Sequence, residues 1–282
     1  MKKIFVFVLS IISFAAFSQL PSGKIVLKKG QHFMVESKSD GTITQEMMGQ
    51  SMEMTLENST VISTEIKDFK NNNYTITQTL TSVKSKFSGM GQDKTFDSDK
   101  KEDMDGEAGA MYKDKFNVPK DVIVSNEGVN VTPSDTAKAQ AAAGANAMSE
   151  MLGAMGGGQD NVAGALFLVI AAGKKVGDSW VDSTTNEGVK MKRTYTLTSI
   201  ANKIATVSVV GILDINKTMQ IQGMDMNTAM TSKINSVVLV DVVSSIQKEN
   251  KSITDVSGTI DVMGQSIPIT SKINSLTTVK SL

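Results

Sequence analysis

Thioethers are the only soft donors that this chain spaces closely. Met47, Met48, Met52 and Met54 crowd one short stretch, and Met219, Met224, Met226 and Met230 crowd another. In an exported protein, Met-x-Met sulfurs could hold Cu(I), a soft ion suited to sulfur ligands; Met47, Met52, Met54, Met224, Met226 and Met230 form the candidate set. The same side chain, unbranched and adaptable, also fills irregular core space. The sequence decides between these uses. Around Met263-Gly264-Gln265-Ser266, the positions matching Met47, Met52 and Met54 hold Val262, Ile267 and Ile269. Residues that cannot ligate a metal serve the same places, so the places require apolar bulk. No metal and no cofactor is expected.

Other chemistries find little support. There is no Cys and a single His, His32. That removes disulfides, zinc-thiolate sites, thiol nucleophiles and imidazole clusters. The acids Asp97, Asp99, Glu102, Asp103, Asp105 and Glu107 hint at a calcium loop. Fitted to an EF-hand pattern, however, its first and last ligand positions fall on Lys101 and Tyr112, so a solvated loop is expected. Gly153 to Gly158 lacks the Gly-Lys-Ser/Thr ending of a phosphate loop. Paired carboxylates could hydrolyse glycosides without His or Cys, but nothing marks two of them as convergent. The expectation is a protein that is not an enzyme. With 29 basic and 29 acidic side chains and 5% aromatics, no nucleic-acid partner is expected either.

The N-terminus reads as an address. Lys2 and Lys3 precede an almost wholly apolar run from Ile4 to Phe17, and Ala16-Phe17-Ser18 supplies small residues for signal-peptidase cleavage before Gln19. The run is too short to span a bilayer. The expectation is an exported protein, periplasmic or extracellular, with no transmembrane segment in the mature chain. A membrane β-barrel needs aromatic girdles, which three Tyr and one Trp cannot build.

Period-two alternation dominates the mature chain and argues for strands with one buried face. Tyr74 to Leu80 alternates larger side chains with threonine, and Lys192 to Ile200 and Ile204 to Leu213 flank an Asn202-Lys203 turn. The chain also resembles itself. Lys28 to Ser37 parallels Lys174 to Ser183, each with an aromatic (Phe33, Trp180) three residues after a glycine (Gly30, Gly177). Met-Gly-Gln recurs at Gly49, Gly91 and Gly264, where a hairpin turn needs positive φ. Thr231 to Ser236 reappears unchanged as Thr270 to Ser275. Between the halves, Thr132 opens an Ala/Gly/Met-rich stretch with a weak helical stripe. The fold expected is mainly β: an antiparallel meander in two related halves, as open barrel, sandwich or curved sheets. A signal peptide would occupy residues 1–18, the halves 19–131 and 166–282, and a helical or flexible insert 132–165.

The signal segment ending near Gln19, the Gly30 to Phe33 opening, the Thr95-Phe96-Asp97-Ser98 strand end and the Val176 to Trp180 restart resemble a family of uncharacterised exported proteins common in Bacteroidetes-type bacteria, a domain of unknown function. The resemblance implies a β-rich exported protein and lends no activity. Fold and compartment together suggest a non-catalytic protein binding an apolar or amphiphilic ligand, lipid-like, in a hollow of its sheet. The alternatives are a structural or adaptor protein of the cell envelope with a protein partner, and Cu(I) binding through the methionines.

Overall fold

The computed structural model describes residues 21–47, 49–89, 91–110, 112–132, 162–186, 188–221, 224–262 and 265–282. The signal segment, most of the 132–165 insert and Gly264 lie outside the described residues.

Within the described residues, eleven strands join in one antiparallel sheet. They are β1 (His32–Met47), β2 (Gln50–Lys70), β3 (Asn73–Gly89), β4 (Gln92–Asp97), β5 (Lys120–Ser125), β6 (Ser179–Asn186), β7 (Val189–Ala201), β8 (Ile204–Ile221), β9 (Met224–Asp241), β10 (Gln247–Val262) and β11 (Gln265–Ser281). The order across the sheet is β4-β3-β2-β1-β11-β10-β9-β8-β7-β6, with β5 also on β3. Both related halves therefore belong to one sheet, joined where β1 meets β11 from Phe33 opposite Ser281 to Gln45 opposite Ile269. The sheet is not closed: β6 forms one edge, and β4 with β5 the other. The expected mainly β antiparallel meander is thus one open sheet to which both halves contribute.

Alternation produces the two faces. On β8, Ala205, Val207 and Val209 are buried while Val210 and Ile212 face out, 54% and 45% exposed. The buried face is called the inner face below.

The internal likeness extends to individual hydrogen bonds. Gly30, at φ +80, donates its amide to Ile66 O (2.8 Å), and the Ile66 amide returns to Gln31 O (2.9 Å). Gly177, at φ +97, donates to Leu197 O (2.8 Å), and the Leu197 amide returns to Asp178 O (3.0 Å). The Gln31 side chain accepts from the Lys28 amide (2.7 Å) as that of Asp178 does from Lys175 (2.9 Å). A bulge follows Ile66 and another follows Leu197. The hairpins then close on Asn71-Asn72 (φ 52, 62) and Asn202-Lys203 (φ 50, 65). Positive φ at both positions is the two-residue turn whose twist matches its strands.

The halves differ at the next strand. In the second half β9 runs unbroken. Its counterpart is split into β4 and β5 by two short helices, α1 (Lys101–Asp105) and α2 (Glu107–Ala110). Asp97 to Glu107, expected as a solvated loop, is largely exposed but takes up short helical turns. The segment is organised because Asp103 Oδ2 accepts the Asp97 amide at 2.7 Å and Tyr112 stacks on Phe96, ring centroids 5.1 Å apart.

The inner face is covered at the end where the Asn71 and Asn202 turns lie. There Ile25, Phe33, Ile66, Tyr74, Ile76 and Val124 form one buried cluster with Leu166 and Phe167. Leu197, Val207, Val238 and Val240 form a second with Ile170. Two segments cross over them. The first is tied down by the Ile25 amide to Asn126 O (2.7 Å) and the Ser22 amide to Val242 O (3.0 Å). The second begins with α3 (Val162–Leu166) and is held by Leu168 N to Ser245 O (3.0 Å) and by buried Gln247, whose Nε2 donates to Phe167 O at 2.8 Å. The apolar run from Ala163 to Ala172 thus serves as a short helix and an extended strap. At the far end of the sheet, Met230, Val256, Ile260 and Ile269 make a third cluster.

Candidate functional site

Beside the strap the inner face opens into a half-open hollow of about 660 Å³, floored by β6 to β10 and walled by Glu127–Asn130 and Gly164–Val169. Strand register fixes which residues meet there. One row across the sheet reads Trp180, Tyr195, Val209, Ser236, Ser252, each opposite the next. The adjacent row on the same face reads Asp182, Arg193, Gly211, Ile234, Thr254. Nearer the strap, Val238 and Asn250 add an apolar and a polar side chain. The floor is therefore mixed: aromatic and aliphatic surface interleaved with hydroxyls, an amide and charges. Such a lining suits a ligand with both an apolar body and a polar end.

The β6 side of the hollow carries its most structured part. Trp180 and Tyr195 stack with centroids 5.3 Å apart and planes 6° from parallel. Lys174 Nζ sits 5.7 Å from the Trp180 ring and donates to Ser179 O at 3.2 Å. Arg193 Nη1 donates to Tyr195 Oη at 3.3 Å. Gly211, opposite Arg193, leaves the floor low: a Cβ there would lie 3.5 Å from Arg193 Cγ and 3.4 Å from Ile234 Cβ. Asn250 Oδ1 is buried with no hydrogen-bond partner, which costs free energy unless something outside the fold meets it.

The aromatics and glycines marked in the sequence have structural duties. Phe33 is 2% exposed in the first core cluster, and Trp180 is half-buried in the hollow. Gly49 has φ +76 at the β1–β2 turn, as Gly30 and Gly177 have positive φ at theirs. The methionines divide. Met54 and Met230 are buried, 7% and 4% exposed, and Met52 and Met226 half-buried. Met47 ends β1 and Met224 begins β9, and their side chains lie outside the described part of the structure. Met52 and Met230 share a row, separated by Gln45, Ile269 and Gly258. Four strand spacings, about 19 Å in a flat sheet, keep the two methionine groups from sharing one ion. Among the described residues no group of three His, Cys, Asp or Glu could hold a metal.

Sequence reading missed Arg193, Tyr195 and Asn250. A usable signal was present: Arg193 is the sole arginine and Trp180 the sole tryptophan of the chain, and both face the hollow.

Comparison with known proteins adds the following. Among solved structures, the chain is similar to lipovitellin in a study of lipid-protein interactions, with 15% identity and TM-score 0.48 over 90% of this chain and 26% of that one. It is also similar to an outer membrane channel from Pseudomonas putida F1 (8% identity, TM-score 0.25, 92% of this chain and 99% of that one). A third is OccK7 (OpdD) of Pseudomonas aeruginosa (5% identity, TM-score 0.26, 90% and 100%). The chain spans about a quarter of the lipovitellin chain. At these TM-scores neither the lipid of the first nor the membrane of the second transfers to this protein. Among curated proteins, none matches the sequence. One family model does match, over residues 71–246, from the Asn71 turn through the second glycine–aromatic opening to Ile246. That is more than half of the chain, and this protein belongs to that family, described as a family of unknown function (DUF6263).

Proposed function

We propose that this chain is an exported, non-catalytic protein that holds an apolar or amphiphilic small molecule in the hollow between Trp180 and Thr254. The observation that carries this reading is the mixed floor beside the strap. A sheet serving only as a scaffold fills its inner face, as the three core clusters do elsewhere. Here, instead, about 660 Å³ stays open over Tyr195, Val209, Ile234 and Val238, within the size range of small-molecule sites. Export is supported by the Lys2–Ser18 segment. The non-catalytic part of the proposal follows the sequence, which has no Cys and a single His. Native mass spectrometry and solvent extraction of protein purified from its own envelope test the reading: a bound amphiphile is expected, and an empty protein that also takes up none in vitro overturns it.

A second reading has its own observation. On the outer face Val181, Val210, Ile212, Val237 and Ile253 are each 44% to 57% exposed across neighbouring strands β6 to β10. Such a surface suits a protein partner of the envelope-adaptor kind. Crosslinking from Val210 and Val237 distinguishes the readings, because an adaptor yields one dominant partner there and a ligand carrier none.

A further inference from the structure

We infer that the hollow selects an anionic amphiphile, of the long-chain carboxylate class, and that Arg193 binds its head group. This rests on the reading of the hollow as a ligand site. Of 29 basic side chains, 28 are lysines, and the one arginine stands mid-strand on the inner face, in the floor of the hollow. Guanidinium and ammonium differ here. The guanidinium presents five donors in a planar fork that matches a carboxylate, stays charged, and is less strongly hydrated.

Within the fold Arg193 uses one contact, the 3.3 Å bond to Tyr195 Oη. Its cross-strand partner Asp182 is exposed, and among the described residues no carboxylate lies within ion-pair distance of the guanidinium. Most of the fork is therefore open to a ligand, in a half-buried setting where a charge-assisted bond is stronger than on open surface. Arg193 is the one cation among the lining residues, and the two carboxylates there, Glu127 and Asp182, are both exposed; Lys174, outside the lining, sits 5.7 Å from the Trp180 ring. From Arg193 the floor continues over Gly211 to Ile234, Val209 and Val238, apolar surface suited to a hydrocarbon tail. Low ground at Gly211 allows the tail to leave the head group without crossing a side chain.

The sole tryptophan provides a local readout, since quenching of Trp180 by a bromine-tailed ligand requires contact in the hollow. Delipidated full-length mature protein is titrated with bromine-tailed dodecanoic acid and with the matching alcohol. The acid is expected to bind about tenfold more tightly, as one charge-assisted interaction worth about 1.4 kcal/mol implies. Arg193→Gln should abolish that preference, so that acid and alcohol bind alike, and Arg193→Lys should restore it only in part. Equal binding of acid and alcohol by the wild-type protein overturns the anion assignment and leaves the hollow as a ligand site. No quenching by either overturns the hollow itself. Should Arg193→Gln fail to fold, as judged by circular dichroism, the wild-type comparison of acid with alcohol still decides.

Discussion

Lys233 and Lys272 flank Asp255, one from each neighbouring strand. Lys233 on β9 and Lys272 on β11 are both cross-strand partners of Asp255 on β10. The identical hexapeptides Thr231–Ser236 and Thr270–Ser275 thus lie in the same register on the two sides of one strand. Asp255→Lys would set three like charges in a row. Like charges directly opposite destabilise a sheet, here by about 1 kcal/mol. Urea unfolding should show the loss at low salt and recover most of it in molar salt, where exposed charges are screened. A loss independent of salt would mean that Asp255 acts through packing instead.

Two glycines separate backbone strain from steric clash. Gly30 has φ +80 but open space where a Cβ would go. Gly188 has φ +83, and a Cβ there would lie 2.1 Å from Asn216 O. Gly30→Ala is expected to cost about 1–2 kcal/mol, the penalty for an L-residue in the left-handed region. Gly188→Ala must also push β7 away from β8, so its denaturation midpoint should fall markedly further. Equal midpoints would show that the β6–β7 turn relaxes freely.

The methionine cores distinguish packing from ligation. Met230, packed with Val256, Ile260 and Ile269, should tolerate Met230→Leu with a loss below about 1.5 kcal/mol, whereas Met230→Ala should lose about 2–5 kcal/mol. Cu(I) titration of the wild type and of Met230→Leu should give the same weak uptake. Tight wild-type binding lost in the leucine variant would restore the metal-site reading.

Asp97 gives a sign-defined pH effect. The Asp99 amide, 3.0 Å from Oδ1, and then Lys84, 3.1 Å from Oδ2, hold its carboxyl below the ordinary 3.8. A depressed acid stabilises the fold above its unfolded pKa, and that contribution disappears as pH falls through the folded value. NMR titration should place Asp97 below an ordinary aspartate. In Lys84→Met it should move upward without reaching the ordinary value, because the Asp99 amide remains. Normal titration in the wild type would mean that neither contact persists in solution.

Strands and turns were legible because their causes are local. Period two places Val207 and Val209 inward, and Gly30 and Asn202 mark where the backbone must enter positive φ. The glycine–aromatic openings carry the duplication in the sequence itself. The β1–β11 pairing was not legible, since nothing local in His32–Met47 distinguishes a strand that pairs with the last one from a sheet edge. The break between β4 and β5 depends on Asp103 reaching back to Asp97, a tertiary contact. The site was hidden for a similar reason. In the run Met191 to Leu197, Arg193 reads as one more cation on an alternating strand, and only register with Trp180, Gly211 and Ile234 shows that it faces inward.

The β1–β11 seam governs the order in which the chain can be completed. Ser37 and Thr277 share a hydroxyl hydrogen bond of 3.0 Å across a sequence separation of 240. Contacts this remote form late, because a long loop must close first. Until the final strand emerges, a nascent chain has two raw edges, β1 and β10, of 16 residues each. Unpaired edges of that length invite strand exchange with other copies. Loss of β11 would thus leave β1 and β10 both open to pairing with other copies of this chain, and aggregation during synthesis is most to be expected before that strand is in place.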